Sequence, residues 1–342
     1  MENTSQKSSP IIVVGRPRSG STLFTRLLGE SSNLCVINDF YYLQYVDSLG
    51  GFSRQDSELI KSLAEHILFT LKDRQEPDEN GLAGIECKSA LTQSQIEDLE
   101  RFVAQCSSQQ NHDWASLFAT IMKYNASLFG KEIWGYNTPQ DYLHIPKLQE
   151  AYPDAKFIFV MRDPRAVMRS YKYLEYKENY HDPARYHPIL QAIAWKSAME
   201  SYKSYQHQDN FMLVKYEDIV SDTNKTLTEV GGFIGVDFPE VNLKTFGNNS
   251  TFQGQNKVKK ELSNTEIWIC EKMIGEEMQE AGYSLENIQP SLKDIQYMSY
   301  ITARSFSFYL KNSLFSSDIR KRVLKLAKTK FGGNSNSEEQ VA

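Results

Sequence analysis

The sequence has few cysteines, no long apolar run and no excess of positive charge. Its 4 cysteines among 342 residues lie far apart, with neither a CxxC pair nor a Cys/His ligand pattern. This spacing argues against a zinc module or a disulfide framework and favours a reducing compartment. No apolar run approaches the ~18 residues that a membrane span needs. We therefore expect a soluble, cytoplasmic globular protein.

The charge balance is mildly acidic. Lys and Arg number 38 against 43 Asp and Glu, which gives a net charge of −5 at pH 7. Such a chain has no general positive field, so we expect no nucleic-acid partner, and any bound polyanion needs a local cluster of cations. The first ten residues, MENTSQKSSP, are polar, so we expect no secretory signal there.

Short β-branched runs alternate with helical patterns along most of the chain. Strands are predicted at residues 11–14, 34–38, 133–136, 157–161 and 211–214. Helices are predicted at residues 22–28, 53–75, 93–130, 141–150, 165–173 and 223–234. This alternation favours βαβ units, and we expect an α/β fold with a parallel sheet.

The segment IIVVGRPRSGSTLFTRLL, residues 11–28, is typical of an anion-binding loop. A strand, a tight loop and a helix follow one another, which leaves unpaired N–H groups at the helix start. A phosphate or sulfate group is the natural ligand of such a loop. Arg18 adds a positive charge, and Ser21 and Thr22 add hydroxyl donors. The other interpretation is a Gly/Ser-rich turn without a ligand.

The loop departs from the nucleoside-triphosphate pattern at one position. Gly15 to Thr22 fits GxxxxG followed by Ser-Thr, without the lysine of GxxxxGK[ST]. That lysine reaches the β- and γ-phosphates of a nucleoside triphosphate. Its absence argues against an ATPase, a GTPase or an ordinary kinase. A P-loop phosphotransferase that uses ATP and a non-catalytic nucleotide-binding protein stay as alternatives.

A second basic cluster follows the strand at 157–161. Arg162 comes directly after that strand, at the sheet edge where α/β proteins bind ligands. Ser170 lies about two helical turns further on. A Walker B strand would be followed by a magnesium-binding acid, so an arginine here suits an anion better than a metal. The other interpretation is a helix-capping ion pair of Arg162 and Asp163.

Together these segments resemble the sulfotransferases that use 3′-phosphoadenosine 5′-phosphosulfate (PAPS), especially the branch of tyrosylprotein and many bacterial sulfotransferases. The matching segments are GRPRSGSTL, NTPQDYLHIPKLQEAYPDAKFIFVMRDP, RDPRAV with Ser170, and LVKYEDIVSD. The resemblance implies a P-loop-type three-layer α/β/α fold with a central parallel sheet and additional helices. It covers residues 10–283, so we expect a sulfotransferase domain there, a helical extension at 284–331 and a disordered tail at 332–342.

The resemblance also implies roles for individual residues. Those that would bind PAPS are Arg18, Ser19, Gly20, Ser21, Thr22, Arg162, Ser170, Tyr216 and Lys257. The residues after Arg18 would hold the 5′-phosphate, Arg18 would contact the leaving group, and Arg162 with Ser170 would bind the 3′-phosphate. Lys259 or Lys260 is an alternative to Lys257, and a solvated lysine run is another interpretation of that segment.

The acceptor hydroxyl must lose its proton to a general base. Asp39 is the candidate, because the tyrosylprotein branch is similar in carrying an acidic base at about this separation from the loop arginine. The other interpretation of Asp39 is a helix N-cap, and His144 is the second candidate base. We therefore expect a sulfotransferase in which Asp39 and Arg18 are catalytic. It would move a sulfuryl group from PAPS to a hydroxyl of a small metabolite, lipid or glycan, without a metal.

Two further segments each have two interpretations. Residues 40–52, FYYLQYVDSLGGF, form either an apolar acceptor pocket or, as we favour, a helix face in the core. Residues 318–331, DIRKRVLKLAKTKF, predict a basic amphipathic helix that faces solvent or contacts an anionic membrane or partner. The sequence does not indicate an oligomeric state.

Overall fold

The computed structural model describes residues 9–54, 56–75, 85–86, 90–109, 112–173, 186–243 and 261–315. Lys257 with its two alternatives, the basic segment 318–331 and the tail 332–342 lie outside the described residues. The chain divides into two compact units. One comprises Met1–Val167 and Ala194–Val258, and the other comprises Met168–Ile193 and Lys259–Ala342.

The first unit is built on a six-stranded sheet. Its strands are β1 (Ile11–Gly15), β2 (Leu34–Asn38), β3 (Ile85–Glu86), β4 (Ile133–Asn137), β5 (Lys156–Met161) and β6 (Phe211–Lys215). The order is β3-β2-β4-β1-β5-β6, and every pair is parallel except β2 with β3. The predicted parallel sheet is confirmed. The two-residue β3 was not predicted, because so short a strand carries no periodic signal.

The helices agree with the predicted pattern over most of the first unit. The described helices are α1 (Ser21–Leu28), α2 (Tyr42–Ser48), α3 (Ser57–Asp73), α4 (Gln93–Ser108), α5 (Trp114–Leu128), α6 (Ile145–Ala151), α7 (Pro164–Lys172), α8 (Pro188–Tyr205), α9 (Tyr216–Ser221), α10 (Thr223–Ile234), α11 (Asn264–Glu280) and α12 (Leu292–Phe315). The predicted helix at 141–150 is a 3₁₀ turn (Pro139–His144) followed by α6. No helix within the described ranges is long and apolar enough to cross a bilayer.

Helices cover both faces of the sheet. On one face, Val13 and Ile158 belong to a buried cluster with Phe24 of α1 and Leu227 of α10. On the other face, the ring of Phe118 in α5 packs 5.4 Å from that of Tyr136 in β4, centroid to centroid. A continuously apolar strand such as β1 has apolar side chains on both faces of the sheet, so both faces need helices packed against them. The predicted three-layer α/β/α architecture is therefore confirmed.

The aromatic segment after β2 contributes to this core. Its buried side chains are Phe40, Tyr42, Leu43 and Val46. Tyr42 stacks on Phe118 with ring centroids 4.2 Å apart, and Phe40 packs edge-on to the same ring. The interpretation as a core helix face is correct for these residues.

One carboxyl group is fully buried beside the sheet. Asp141 has no exposed surface, and Gln44 Nε2 donates a hydrogen bond to its Oδ1 at 2.9 Å. Burial raises the pKa of Asp141 from 3.8 to about 7, although the hydrogen bond from Gln44 opposes the shift. The folded protein therefore binds this proton more tightly than the unfolded chain does.

Close contact between β4 and β1 predicts that Gly135→Ala destabilises the protein by about 2–3 kcal/mol. A Cβ at Gly135 would lie 2.5 Å from the carbonyl oxygen of Ile11, in backbone that cannot yield. The matched control is Gly232→Ala in α10, where no atom lies within 4 Å of the added Cβ. That change should be neutral or stabilise by up to about 1 kcal/mol. Urea unfolding measures both, and equal effects would contradict the contact.

Burial of Asp141 predicts a pH dependence of stability. Because its pKa is raised on folding, its contribution is present at low pH and is lost as pH rises from about 4 through about 7. The full loss is up to roughly 4 kcal/mol. Asp141→Asn should remove this slope from urea unfolding curves, whereas the exposed control Asp209→Asn should keep it. A slope unchanged by Asp141→Asn would refute the assignment.

Candidate active site

The loop between β1 and α1 has the backbone conformation of an anion-binding turn. Gly15, Arg18 and Gly20 have φ angles of 146°, 73° and 92°. Ser19 N–H donates to the carbonyl oxygen of Arg16 at 3.1 Å, which closes the turn. Gly20 occupies the N-cap position of α1, so no side chain caps the first N–H groups of that helix. These groups and the helix dipole together attract an anion.

Ser19 gives the clearest indication of a ligand in this loop. Its side chain is fully buried, and its Oγ has no hydrogen-bond partner among the described residues. A buried hydroxyl left without a partner costs about 1–3 kcal/mol. An anion in the loop would accept this hydrogen bond. Ser21, also buried, and Thr22, half-buried, follow at the start of α1.

The two glycines of the loop are required because neighbouring groups approach the backbone closely. A Cβ at Gly15 would lie 2.3 Å from the carbonyl oxygen of Val160 in β5. A Cβ at Gly20 would lie 2.2 Å from Cδ2 of Tyr216. The loop is therefore held between β5 and the ring of Tyr216, as only glycine permits.

Arg162 lies at the same edge of the sheet as the loop. Its guanidinium carbon is 4.0 Å from the ring centroid of Tyr216, and its Nη1 donates to the carbonyl oxygen of Arg18 at 3.4 Å. Trp195 Nε1 donates to the carbonyl oxygen of Arg162 at 3.0 Å and fixes the end of β5. The two basic segments that the sequence indicated thus meet at one place.

The residues after Arg162 connect this place to the YED segment. Asp163 N–H donates to Oε1 of Glu217 at 3.1 Å. The Asp163 carboxylate accepts from Arg165 N–H at 2.8 Å and pairs with the Arg165 guanidinium at 2.7 Å. Asp163 therefore caps the start of α7, with Arg165 as its ion-pair partner. Ser170 is buried on α7, within the second compact unit.

Asp39 follows β2 at the carboxyl edge of the sheet. Its carboxylate accepts a hydrogen bond from the Tyr41 hydroxyl at 3.4 Å, and Arg74 Nη2 donates to its backbone oxygen at 3.4 Å. Burial raises the pKa of Asp39, while the charges of Arg74 and Arg18 and the hydrogen bond from Tyr41 oppose the shift. A carboxylate with a raised pKa is a stronger base than an ordinary aspartate.

The alternative roles considered for this part of the site fit less well. Helix α2 begins at Tyr42 with Tyr41 in the N-cap position and no side-chain cap, so the helix-cap interpretation of Asp39 is wrong.

The ring of His144, the second candidate base, packs against Phe52, with centroids 5.8 Å apart. Phe52 lines a cavity of about 640 Å³ together with Pro10 and Ala155, which precede β1 and β5. That cavity lies at the amino edge of the sheet, whereas Asp39 follows β2 at the carboxyl edge.

Sequence reasoning missed two residues that contact the Asp39 segment. Arg74, at the end of α3, is 35 residues further along the chain, and no local pattern connects it to Asp39. Thr138 Oγ1 accepts a hydrogen bond from Tyr41 N–H at 3.1 Å. Its signal was its place directly after β4, because side chains at the carboxyl ends of parallel strands meet at one edge.

Comparison with solved structures yields several similar proteins. The sulfotransferase domain of the Synechococcus PCC 7002 olefin synthase is 22% identical, with 80% of this chain and 97% of that chain covered and a TM-score of 0.46. Sulfotransferase STF9 from Mycobacterium avium is 14% identical, with 82% and 79% covered and a TM-score of 0.43. Mouse sulfotransferase SULT7A1 complexed with PAP is 12% identical, with 94% and 90% covered and a TM-score of 0.38.

Among curated proteins, none matches the sequence significantly. The model of the sulfotransferase family, in contrast, matches residues 10–240. This match contains every strand of the sheet, the loop at Arg18 and the segments of Arg162 and Tyr216. Since it covers more than half of the chain, the protein belongs to the sulfotransferase family.

Proposed function

We propose that this sulfotransferase moves a sulfuryl group from PAPS to a hydroxyl group of a small metabolite, lipid or glycan. The observation that carries the proposal is the meeting of the Arg18 loop, Arg162 and Asp39 at one edge of the sheet. Membership of the family supports sulfuryl transfer. Two basic positions, one in the loop and one after β5, support a donor with phosphate groups at two places.

The loop fits the 5′-phosphate end of this donor. The buried Ser19 Oγ needs an acceptor, and the phosphate oxygens supply one together with acceptors for the N–H groups of α1. Arg162 is proposed for the 3′-phosphate, and Tyr216 is proposed to lie beside the nucleotide. Ser170 is kept as a 3′-phosphate residue on the resemblance alone. Lys257 is kept as part of the same proposal on the resemblance alone.

Asp39 is proposed to act on the acceptor hydroxyl, and Arg18 on the phosphate leaving group. Asp39 accepts the proton of the acceptor hydroxyl as that oxygen forms its bond to sulfur. Arg18 and the loop N–H groups stabilise the charge left on the phosphate oxygen when its bond to sulfur breaks, and one such donor is worth roughly 3–4 kcal/mol. The products are a sulfate ester and 3′-phosphoadenosine 5′-phosphate (PAP). PAPS supplies the activated sulfuryl group, and the protein supplies position and charge.

We also propose a cytoplasmic location for this enzyme. The four cysteines lie far apart in the sequence, in neither a CxxC pair nor a Cys/His ligand pattern. Such a spacing is typical of proteins in a reducing compartment.

Arg162→Ala is expected to weaken PAP binding by about 10- to 100-fold, because it removes a charge-assisted pair worth roughly 1.5–3 kcal/mol. Arg18→Ala should weaken it as well. Isothermal titration with PAP measures both. The control is Arg101→Ala on the exposed surface of α4, which removes the same charge and should leave the Kd unchanged. Wild-type binding by both site variants would refute the proposed donor site.

Asp39→Asn is expected to lower sulfuryl transfer by about 10²- to 10⁴-fold and to leave PAP affinity within twofold. Transfer from ³⁵S-labelled PAPS to 2-naphthol, 1-octanol and N-acetylglucosamine measures the rate. Because the pKa of Asp39 is raised above 3.8, the wild-type rate should fall as pH decreases through that raised pKa, when the carboxylate becomes protonated. Asp47→Asn on α2 is the matched control. Near-normal turnover by Asp39→Asn would remove Asp39 from the mechanism.

A further inference from the structure

The backbone around Asp39 is strained. In the described part of the chain, four non-glycine residues have left-handed backbone angles, and two of them are Asp39 (φ 49°) and Tyr41 (φ 52°). A third is Arg18 in the loop. Such a conformation costs roughly 1–2 kcal/mol for a residue with a Cβ, so it persists only where the surroundings hold it.

The segment after β4 supplies the contacts that hold it. Phe40 N–H donates to the carbonyl oxygen of Asn137 at 3.4 Å, and Tyr41 N–H donates to Thr138 Oγ1 at 3.1 Å. The two donors, Phe40 and Tyr41, are the first and second residues after Asp39. Of these two bonds, only the one from Tyr41 N–H is accepted by a side chain. It therefore depends on which amino acid stands at position 138.

Thr138 is itself held by burial and by two backbone hydrogen bonds. It has no exposed surface, its N–H donates to the carbonyl oxygen of Val13 in β1 at 3.3 Å, and its own carbonyl oxygen accepts from Asp141 N–H at 2.9 Å. The strand that holds Thr138 is therefore the one that leads into the Arg18 loop. Thr138 thus links the backbone of β1, at Val13, to the backbone of Tyr41, two residues after the candidate base.

We propose that Thr138 is a positioning residue for Asp39: its hydroxyl, by accepting from Tyr41 N–H, keeps the strained backbone in the conformation that aims the carboxylate at the acceptor hydroxyl. The proposal rests on the proposed function. A general base acts only within hydrogen-bond reach of its proton, and a displacement of about 1 Å lowers a rate by about 10²-fold.

The experiment compares Thr138→Val with Thr138→Ser. Valine keeps the shape and removes the hydroxyl, whereas serine keeps the hydroxyl. Thr138→Val is expected to lower kcat for transfer from ³⁵S-labelled PAPS to the same three probe acceptors by about 10- to 100-fold, with the Kd for PAP within twofold. Thr138→Ser should keep kcat within about threefold. Thermal unfolding checks each variant, and Thr138→Ala replaces Thr138→Val if that variant does not fold.

A double-mutant cycle separates positioning from general damage. In the Asp39→Asn background the base is gone, so Thr138→Val should lower kcat by less than threefold further. The same loss in both backgrounds, or a normal kcat for Thr138→Val, would overturn the positioning role alone. Wild-type protein that fails to bind PAP, or transfers to none of the probes, would instead overturn the proposed function and this inference with it.

Discussion

The contact between Arg162 and the ring of Tyr216 is the interaction on which the site depends. The guanidinium carbon of Arg162 lies 4.0 Å from the centroid of the Tyr216 ring. The backbone of Gly20 packs against the edge of the same ring. A basic residue after β5 and a turn after β1 are thereby joined through a residue that follows β6. Cation–π stacking holds the guanidinium in place without neutralising its charge.

The parallel sheet makes this convergence possible. Strands β1, β2, β4 and β5 run in one direction, so the residues after them, including Arg18, Asp39, Thr138 and Arg162, reach one edge. An antiparallel sheet would send alternate ends to opposite edges. The fold thus brings the Arg18 loop, Asp39 and Arg162 to one edge, from segments up to 144 residues apart in sequence.

The sequence predicted those parts of the site that have a local pattern. The loop at Arg18 combines glycines, a cation and a helix start within eight residues, and the strand before Arg162 is strongly apolar, so both were found. Asp39 was proposed from the resemblance, by its separation from Arg18, and in the structure it directly follows β2 at the same edge of the sheet. Arg74 was not, since its contact with Asp39 depends on how α3 packs, which no short motif records. The left-handed angle of Asp39 was also beyond prediction, because nothing at the sequence level distinguishes a strained aspartate from a helix cap.

The residue at position 137 shows how neighbouring strands tune the candidate base. Asn137 is buried, and its Nδ2 donates to Oδ1 of Asn38 at 2.8 Å. A cation beside β2 would lower the pKa of Asp39 further than Arg74 and Arg18 already do, and so would weaken it as a base. The neutral amide instead ties the ends of two strands together. Asn137 therefore adds no charge beside the strand that precedes Asp39.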